Sequence, residues 1–188
     1  MGRGKKLDPF VPTPNDVVKK IIEFAELTED KVLLDLGSGD GRIPISASLE
    51  TGCIGLGIEI NSELVRIANR KVKESSAKVV IINEDLRRVD LSAADVVTAY
   101  LTRKSLAAVK PLFSTLRKDA VVVTHDYPIP GWKPVEMYEV WSSSDSRIHR
   151  LFKYSPKNSG LTHINRRDLI RLNEIVSNLK TITETKHK

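Results

Sequence analysis

The stretch Leu33-Leu34-Asp35-Leu36-Gly37-Ser38-Gly39-Asp40-Gly41-Arg42 sets a carboxylate, Asp35, before three glycines spaced two apart. A glycine turn between a strand and a helix lets a ligand approach the backbone closely, and the usual guest is a phosphate. Two phosphate motifs fail here. A Walker loop ends in Gly-Lys-Ser/Thr, which is absent. The dinucleotide fingerprint is G-x-G-x-x-G, whereas Gly37, Gly39 and Gly41 run G-x-G-x-G and Arg42 stands at the third glycine position. Asp35 and Asp40 would also repel a pyrophosphate. A cationic guest removes the conflict. S-adenosyl-L-methionine (SAM) has no phosphate and carries an ammonium and a sulfonium. An acid at the strand end attracts the ammonium, and the glycines admit the methionine part.

Two later acids extend the pattern. Glu59 ends the next apolar run, where a carboxylate accepts both hydrogen bonds of a ribose diol. Asp85, in Asn-Glu-Asp-Leu, follows the third run, where an adenine amino group would lie. Ligands of open α/β sheets bind at the carboxyl ends of the strands, so acids at three successive strand ends form one site.

The elements that must position these acids follow from periodicity. Short β-branched runs at 31–36, 53–60, 78–83, 94–101 and 120–127 alternate with amphipathic helical stretches at 41–52, 61–75 and 104–116, the last kinked at Pro111. That alternation predicts five parallel strands covered on both faces by helices. Ahead of them, 10–27 opens with a proline-bracketed segment and becomes a helix. Thr13 is its expected N-cap, Pro14 its first residue, Asp16 its favourable acid, and Val17, Ile21, Phe24 and Ala25 its apolar stripe. Residues 134–155 read as two strands around a serine-rich turn, an antiparallel hairpin at the sheet edge. The fold class is therefore α/β: a Rossmann-like, doubly wound, seven-stranded sheet with an N-terminal helix. Residues 1–155 form the expected main domain. Residues 156–188 form a polar extension in which Leu169, Leu172, Val176 and Leu179 mark an amphipathic helix, docked on the domain or on another subunit.

The 188 residues suffice for one domain with a sizeable core. No apolar run is long enough to span a bilayer, and the basic N-terminus lacks a signal-peptide core. A single cysteine, Cys53, forms no internal disulfide, which suits the cytoplasm; it reads as a packed strand residue. The net charge of +6 either solubilises the chain or attracts nucleic acid, but the basic pairs Lys5–Lys6, Arg87–Arg88, Arg103–Lys104 and Arg166–Arg167 are scattered and few aromatics lie among them. His125, His149, His163 and His187 are far apart in sequence and no short Cys/His pair exists, so no metal site is expected. No G-x-S-x-G elbow is present, which disfavours a serine hydrolase.

The combination resembles the class I, seven-strand SAM-dependent methyltransferases: Leu-Leu-Asp-Leu-Gly-Ser-Gly-Asp-Gly-Arg matches their first motif, Gly-Ile-Glu-Ile their ribose acid and Asn-Glu-Asp-Leu their adenine contact. The segments Phe-Val-Pro-Thr-Pro before the first strand and His-Asp-Tyr-Pro-Ile-Pro-Gly-Trp after the fifth narrow the likeness. From about residue 10 to 154 the chain resembles the archaeal broad-specificity protein lysine methyltransferases, related to the non-SET histone lysine methyltransferases. The resemblance implies a cytoplasmic, monomeric enzyme that methylates lysine ε-amines of many proteins. It implies cofactor contacts from Thr13, Asp35, Gly37, Ser38, Gly39, Gly41, Glu59, Ile60, Asn61, Asp85 and Leu86, and it places Tyr100 where such enzymes line the transfer site. Tyr100, His125 and Asp126 are the candidate helpers, the last two at the end of the fifth strand near the expected pocket edge, and neither His125 nor Asp126 is named as a base. Trp132 either walls the substrate channel or packs beneath the hairpin. The alternative function is methylation of RNA or DNA. Base-amino methyltransferases grip a planar amine with Asp/Asn-Pro-Pro-Tyr/Phe after the fourth strand, and here that place reads Thr-Ala-Tyr-Leu-Thr.

Overall fold

The computed structural model describes residues 7–156 and 169–185. In chain order the elements are α1 (Asn15–Phe24), β1 (Val32–Leu36), α2 (Arg42–Thr51), β2 (Ile54–Glu59), α3 (Ser62–Lys73), β3 (Val79–Asn83), β4 (Val96–Ala99), α4 (Arg103–Val109), β5 (Val121–His125), β6 (Glu136–Ser142), β7 (Arg147–Tyr154) and α5 (Asn173–Thr185). Short 3-10 turns cover Leu86–Arg88 and Lys110–Thr115. One seven-stranded sheet runs in the order β3-β2-β1-β4-β5-β7-β6. The first five strands pair in parallel, and β7 pairs antiparallel with both β5 and β6.

Every residue of β1 and β2 is buried, as a sheet covered on both faces requires. One face packs Leu34, Leu36, Leu56 and Ile58 against Leu106, Phe113 and α5. The other packs Val17, Ile21 and Ile22 of α1 and Ile43 and Ala47 of α2 against Leu33 and Val123. Cys53 is buried in this second cluster, and burial pushes its thiol pKa up. β1 is followed by β2 and β3 on one side, whereas β4 returns to its other side. That reversal opens a crevice at the carboxyl ends of β1 and β4, the switch point where open α/β sheets take their ligands.

Three local expectations change. Thr13 does not cap α1. Pro14 occupies the N-cap position without a side-chain bond, and the Thr13 hydroxyl faces His125 instead. The helix expected over 104–116 stays α-helical only to Val109, because Pro111 has no N–H to continue the ladder, and it tightens to a 3-10 turn. In the tail α5 begins at Asn173, so Leu169 and Leu172 precede it. Leu172 and Val176 are buried in the core cluster of this same chain, which is where the helix docks. The first six residues, the part of the expected tail helix before 169, the pair Arg166–Arg167, His163 and His187 lie outside the described residues.

Candidate active site

A cleft opens at the switch point. Its floor is the loop 37–41. Gly37, Gly39 and Gly41 have φ of 77°, 54° and 76°, a region that L side chains rarely adopt, so the loop folds tightly enough to cross the end of β2. There the N–H groups of Gly37 and Ser38 both donate to the Ile58 carbonyl, at 2.9 and 3.0 Å.

Asp35 is the penultimate residue of β1 and lines the cleft, 2% exposed. Register places it beside Thr98 on β4, whose hydroxyl donates to Asp35 Oδ1 at 2.7 Å. Burial, opposed by the Thr98 bond and reinforced by the charges of Glu59 and Asp40, pushes the Asp35 pKa up to about 7. A carboxylate so placed gains from a cationic ligand. Asp40 differs. Although burial opposes ionisation, Arg42 grips both its oxygens at 2.9 Å and Lys71 reaches it at 2.6 Å, which brings its pKa down to about 2. The second loop acid is thus neutralised from within. Arg42, at the position a dinucleotide fold gives to glycine, also donates to the Thr13 carbonyl at 2.8 Å.

Glu59 ends β2 and lines the cleft. Its carboxylate accepts from the N–H of Gly39 at 2.9 Å and of Asn61 at 2.8 Å, which fixes its direction. Ile60 and Leu86 form apolar walls. Gly39, Gly41, Asn61 and Asp85 shape the site without lining it. Gly41 and Asn61 occupy the N-cap positions of α2 and α3. Asp85 is turned away from the cleft onto Arg87, which holds its pKa low, so Leu86 rather than Asp85 faces the ligand space. Sequence spacing does not reveal the arginine two residues on that occupies this acid.

Over the cleft runs a strap that sequence reasoning reaches only at Thr13. Leu7, Asp8, Pro9, Phe10 and Val11 line it. Asp8 ties the strap to α4 by accepting from the backbone N–H of Thr102 at 3.0 Å and its hydroxyl at 2.8 Å. Phe10 covers Gly39 so closely that a β-carbon there would stand 2.2 Å from the ring. The prolines bracketing this strap are its one sequence signal.

At the other end Tyr100 lines the cleft, its ring 3.9 Å from that of His125 and its hydroxyl 3.1 Å from Asp126 Oδ2. Burial, and next the charge of Asp126, push the phenol pKa up, so Tyr100 keeps its proton. Asp126 sits at φ 60°, uncommon for a non-glycine residue. Its partial burial is outweighed by the Arg150 N–H and the Arg147 guanidinium, which hold it ionised. Antiparallel return of β7 brings His149 to His125, a meeting that 24 residues of sequence conceal. With Asp126 they place three ligand-type atoms within 4.8 Å of one another. Arg147 already supplies the positive charge there, 2.7 Å from Asp126 Oδ2 and 3.1 Å from His149 Nδ1. Trp132 lies outside the cleft and packs between Phe113 and Tyr154.

The fit to SAM can be judged from these residues. The cleft has an unneutralised buried acid at the strand end, a directed carboxylate on the ribose side and apolar walls between. The Ser38 hydroxyl is buried without a hydrogen-bond partner among the described residues, a polar atom left for a ligand. Fold and cleft together define a class I SAM-dependent methyltransferase. The ANTKMT methyltransferase domain family model matches residues 35–136, from Asp35 past Trp132, and the chain belongs to that family. The chain is 37% identical over 136 residues to a protein-lysine N-methyltransferase of Saccharolobus islandicus, covering 70% of this chain and 84% of that one. It is 32% identical over 157 residues to the adenine nucleotide translocase lysine N-methyltransferase of Mus musculus, covering 82% of this chain and 66% of the relative. Among solved structures it resembles an RNA methyltransferase from Salinibacter ruber in complex with S-adenosyl-L-homocysteine, at 34% identity and a TM-score of 0.72, covering 84% of this chain and 99% of that one.

Two binding results are expected. Glu59→Ala removes the acceptor of two backbone donors together with the carboxylate expected to meet a ribose diol, and should weaken SAM about tenfold by calorimetry. Because Asp35 titrates near 7 in the free protein and must be ionised to pair with a cation, SAM should bind about tenfold more weakly at pH 6 than at pH 8. Proton release on binding, read from calorimetry in buffers of different ionisation enthalpy, checks the same coupling.

Proposed function

We propose that the protein transfers methyl groups to lysine ε-amines of proteins, acting as a cytoplasmic monomer of broad specificity. The observation that carries the reading is the acceptor end of the cleft. Tyr100, Leu101 and the strap bound it, and the Thr-Ala-Tyr-Leu-Thr segment is committed elsewhere: Thr98 to Asp35, Thr102 to Asp8. Nothing in that segment forms a clamp for a planar base. The lysine methyltransferases of Saccharolobus islandicus and mouse support the same acceptor. Among the described residues no helix is long and apolar enough to cross a membrane.

SAM, when bound, supplies the electrophilic methyl group and a positive charge beside it. Asp35 would hold the ammonium of the methionine part, Glu59 the ribose diol, and Ile60 and Leu86 the adenine. Tyr100 and Leu101 border the channel through which an amine reaches the methyl. A lysine ammonium has a reference pKa near 10.4 and cannot attack, so the channel must favour the neutral amine. Apolar walls and a neighbouring cation both do this, by desolvation and like-charge repulsion. Alignment of the amine with the methyl is the remaining contribution, and the strap pinned at Asp8 and Thr13 narrows the approach.

The Salinibacter ruber relative favours a second reading, RNA methylation. Two of the basic residues that could serve it are engaged within the chain, Arg87 on Asp85 and Arg88 on Glu84. Incubation with labelled SAM and either mixed cell protein or total RNA separates the two. Label in protein, located on lysine by mass spectrometry, supports the first reading. Label in RNA alone overturns it.

A further inference from the structure

An amine acceptor that arrives as an ammonium must lose a proton before it can attack, inside a cleft covered by the strap. Tyr100 is the conspicuous candidate to take it, but its phenol is held protonated between Asp126 and Arg147. Another group lines the cleft at this end. The Thr13 hydroxyl, 3% exposed, lies 3.4 Å from His125 Nδ1. His125 Nε2 lies 2.8 Å from His149 Nδ1, and His149 Nε2 lies 3.2 and 3.1 Å from the two oxygens of Asp145. The two imidazoles are 2% and 0% exposed, whereas the Asp145 side chain is 37% exposed. We propose that Thr13, His125, His149 and Asp145 form a proton exit from the acceptor end of the cleft to the surface.

The hydrogen-bond directions are set by the neighbours. Arg147 Nη2 has two hydrogens for Asp126 Oδ2 at 2.7 Å, the Tyr100 hydroxyl at 3.1 Å and His149 Nδ1 at 3.1 Å, so the direction at Nδ1 is set from the far side of the His149 ring. The Asp145 carboxylate accepts, so His149 Nε2 carries the hydrogen. His125 Nε2 must then donate to His149 Nδ1, which leaves His125 Nδ1 to accept from the Thr13 hydroxyl. Every link points outward. The ammonium gives one proton to the Thr13 oxygen. The Thr13 proton passes to His125 Nδ1, the His125 Nε2 proton to His149 Nδ1, and the His149 Nε2 proton to Asp145 and on to water. One proton enters, one leaves, and both rings finish in the opposite tautomer. Between turnovers a solvent proton taken up at Asp145 passes the same bonds inward and the Thr13 oxygen releases one to water at the mouth of the cleft, which restores the start.

The charged groups facing the two rings are Asp126 at the end of β5, Asp145 in the β6–β7 turn and Arg147 on β7, with the Tyr100 phenol beside them. From α1, Asp16 is engaged by Ser142 at the end of β6 and Ser143 in the turn after it. Burial, with the charge of Arg147, depresses the His125 pKa against the pull of Asp126, so this ring is neutral at rest and passes a proton without storing it.

The inference rests on the amine reading above, and one experiment separates the two. His149→Gln keeps a donor and an acceptor but has no ring through which a proton can pass. On a protein substrate that the wild type labels at lysine, kcat of His149→Gln should fall at least tenfold at pH 7. The deficit should shrink as pH rises and nearly vanish by pH 9–10, where the amine sheds its proton without help. The dissociation constant for SAM should stay within twofold of wild type. Asp145→Asn, at the surface, should show the same steepened profile with a deficit of about threefold, and it decides the matter if His149→Gln does not fold. Activity of Asp145→Asn and any folded His149→Gln that parallels wild type at every pH overturns the exit alone. A wild type that labels RNA and no lysine overturns the amine reading and the exit with it.

Discussion

Asp35→Asn should make the ligand-free protein more stable at pH 8 while weakening SAM at least a hundredfold. The two effects share one cause. The Asp35 carboxyl is buried at 2% exposure, and its pKa stands at about 7 in the folded protein against 3.8 for an unperturbed group. A folded pKa above the unfolded one means that Asp35 favours folding fully below pH 3.8, and that this contribution disappears as pH rises through 7. That rise corresponds to about 4 kcal/mol, an upper figure for what a neutral isostere recovers. The amide of asparagine still offers an oxygen to the Thr98 hydroxyl 2.7 Å away. A gain of about 1–3 kcal/mol at pH 8 is therefore expected, and for a chain of this size each kcal/mol raises the melting temperature by about 2–4 °C. At pH 4 the gain should vanish, since the carboxyl is protonated in the folded state there. Binding moves the other way, because loss of one partner of a buried charge pair costs about 3–5 kcal/mol. Thermal melts at pH 4 and 8 with calorimetry on the same samples check both signs. If Asp35 served the fold, the substitution would lower the melting temperature at pH 8, and that result would remove it from the site.

The sheet is legible in the sequence because its strands are short, β-branched and separated by helices with capped ends. Pro44 in the first turn of α2 and Gly52 closing it fall where helix chemistry demands. Asp35 and Glu59 are readable because a strand end fixes where a side chain points. What stays hidden depends on contacts across the sheet order. Asp85 and Arg87 are two residues apart, yet only the turn at 86–88 folds one onto the other. Thr13 reads as a helix cap because its spacing from α1 suits one, but tertiary structure gives its hydroxyl to His125. The pair of histidines is invisible for a like reason. It needs β7 to run back beside β5, and periodicity predicts a hairpin without saying which strand it borders. The strap over the cleft has no secondary structure, so only its prolines announce it.

The glycine with the largest consequence lies outside the loop it serves. Gly57 is in the middle of β2, opposite Asp35, and has no unusual dihedral. A β-carbon there would stand 2.6 Å from Ser38 Oγ, 2.8 Å from Ser38 Cβ and 2.7 Å from Ile81 Cδ1. Ser38 cannot withdraw easily, because its N–H and that of Gly37 are both fastened to the Ile58 carbonyl next along the strand. Ile81 is buried against α3. Gly57→Ala must therefore lift the loop off the strand or displace a packed side chain, and overpacking of this kind costs about 1–3 kcal/mol. The melting temperature should fall by about 6 °C. The larger loss should be in binding. Gly37 and Ser38 line the cleft, and a shift of even half an ångström detaches the loop from the ligand that Asp35 and Glu59 hold. SAM affinity should drop at least thirtyfold, while circular dichroism and the acid-side stability set by Asp35 stay close to wild type. The neighbouring Gly55→Ala is the control. Its methyl would meet the Pro44 carbonyl and Val79 at 2.9 Å, neither of which lines the cleft, so it should destabilise comparably and leave the affinity of the folded fraction intact. Equal loss of affinity in both variants would mean that stability, and not the seating of the loop on β2, governs the site.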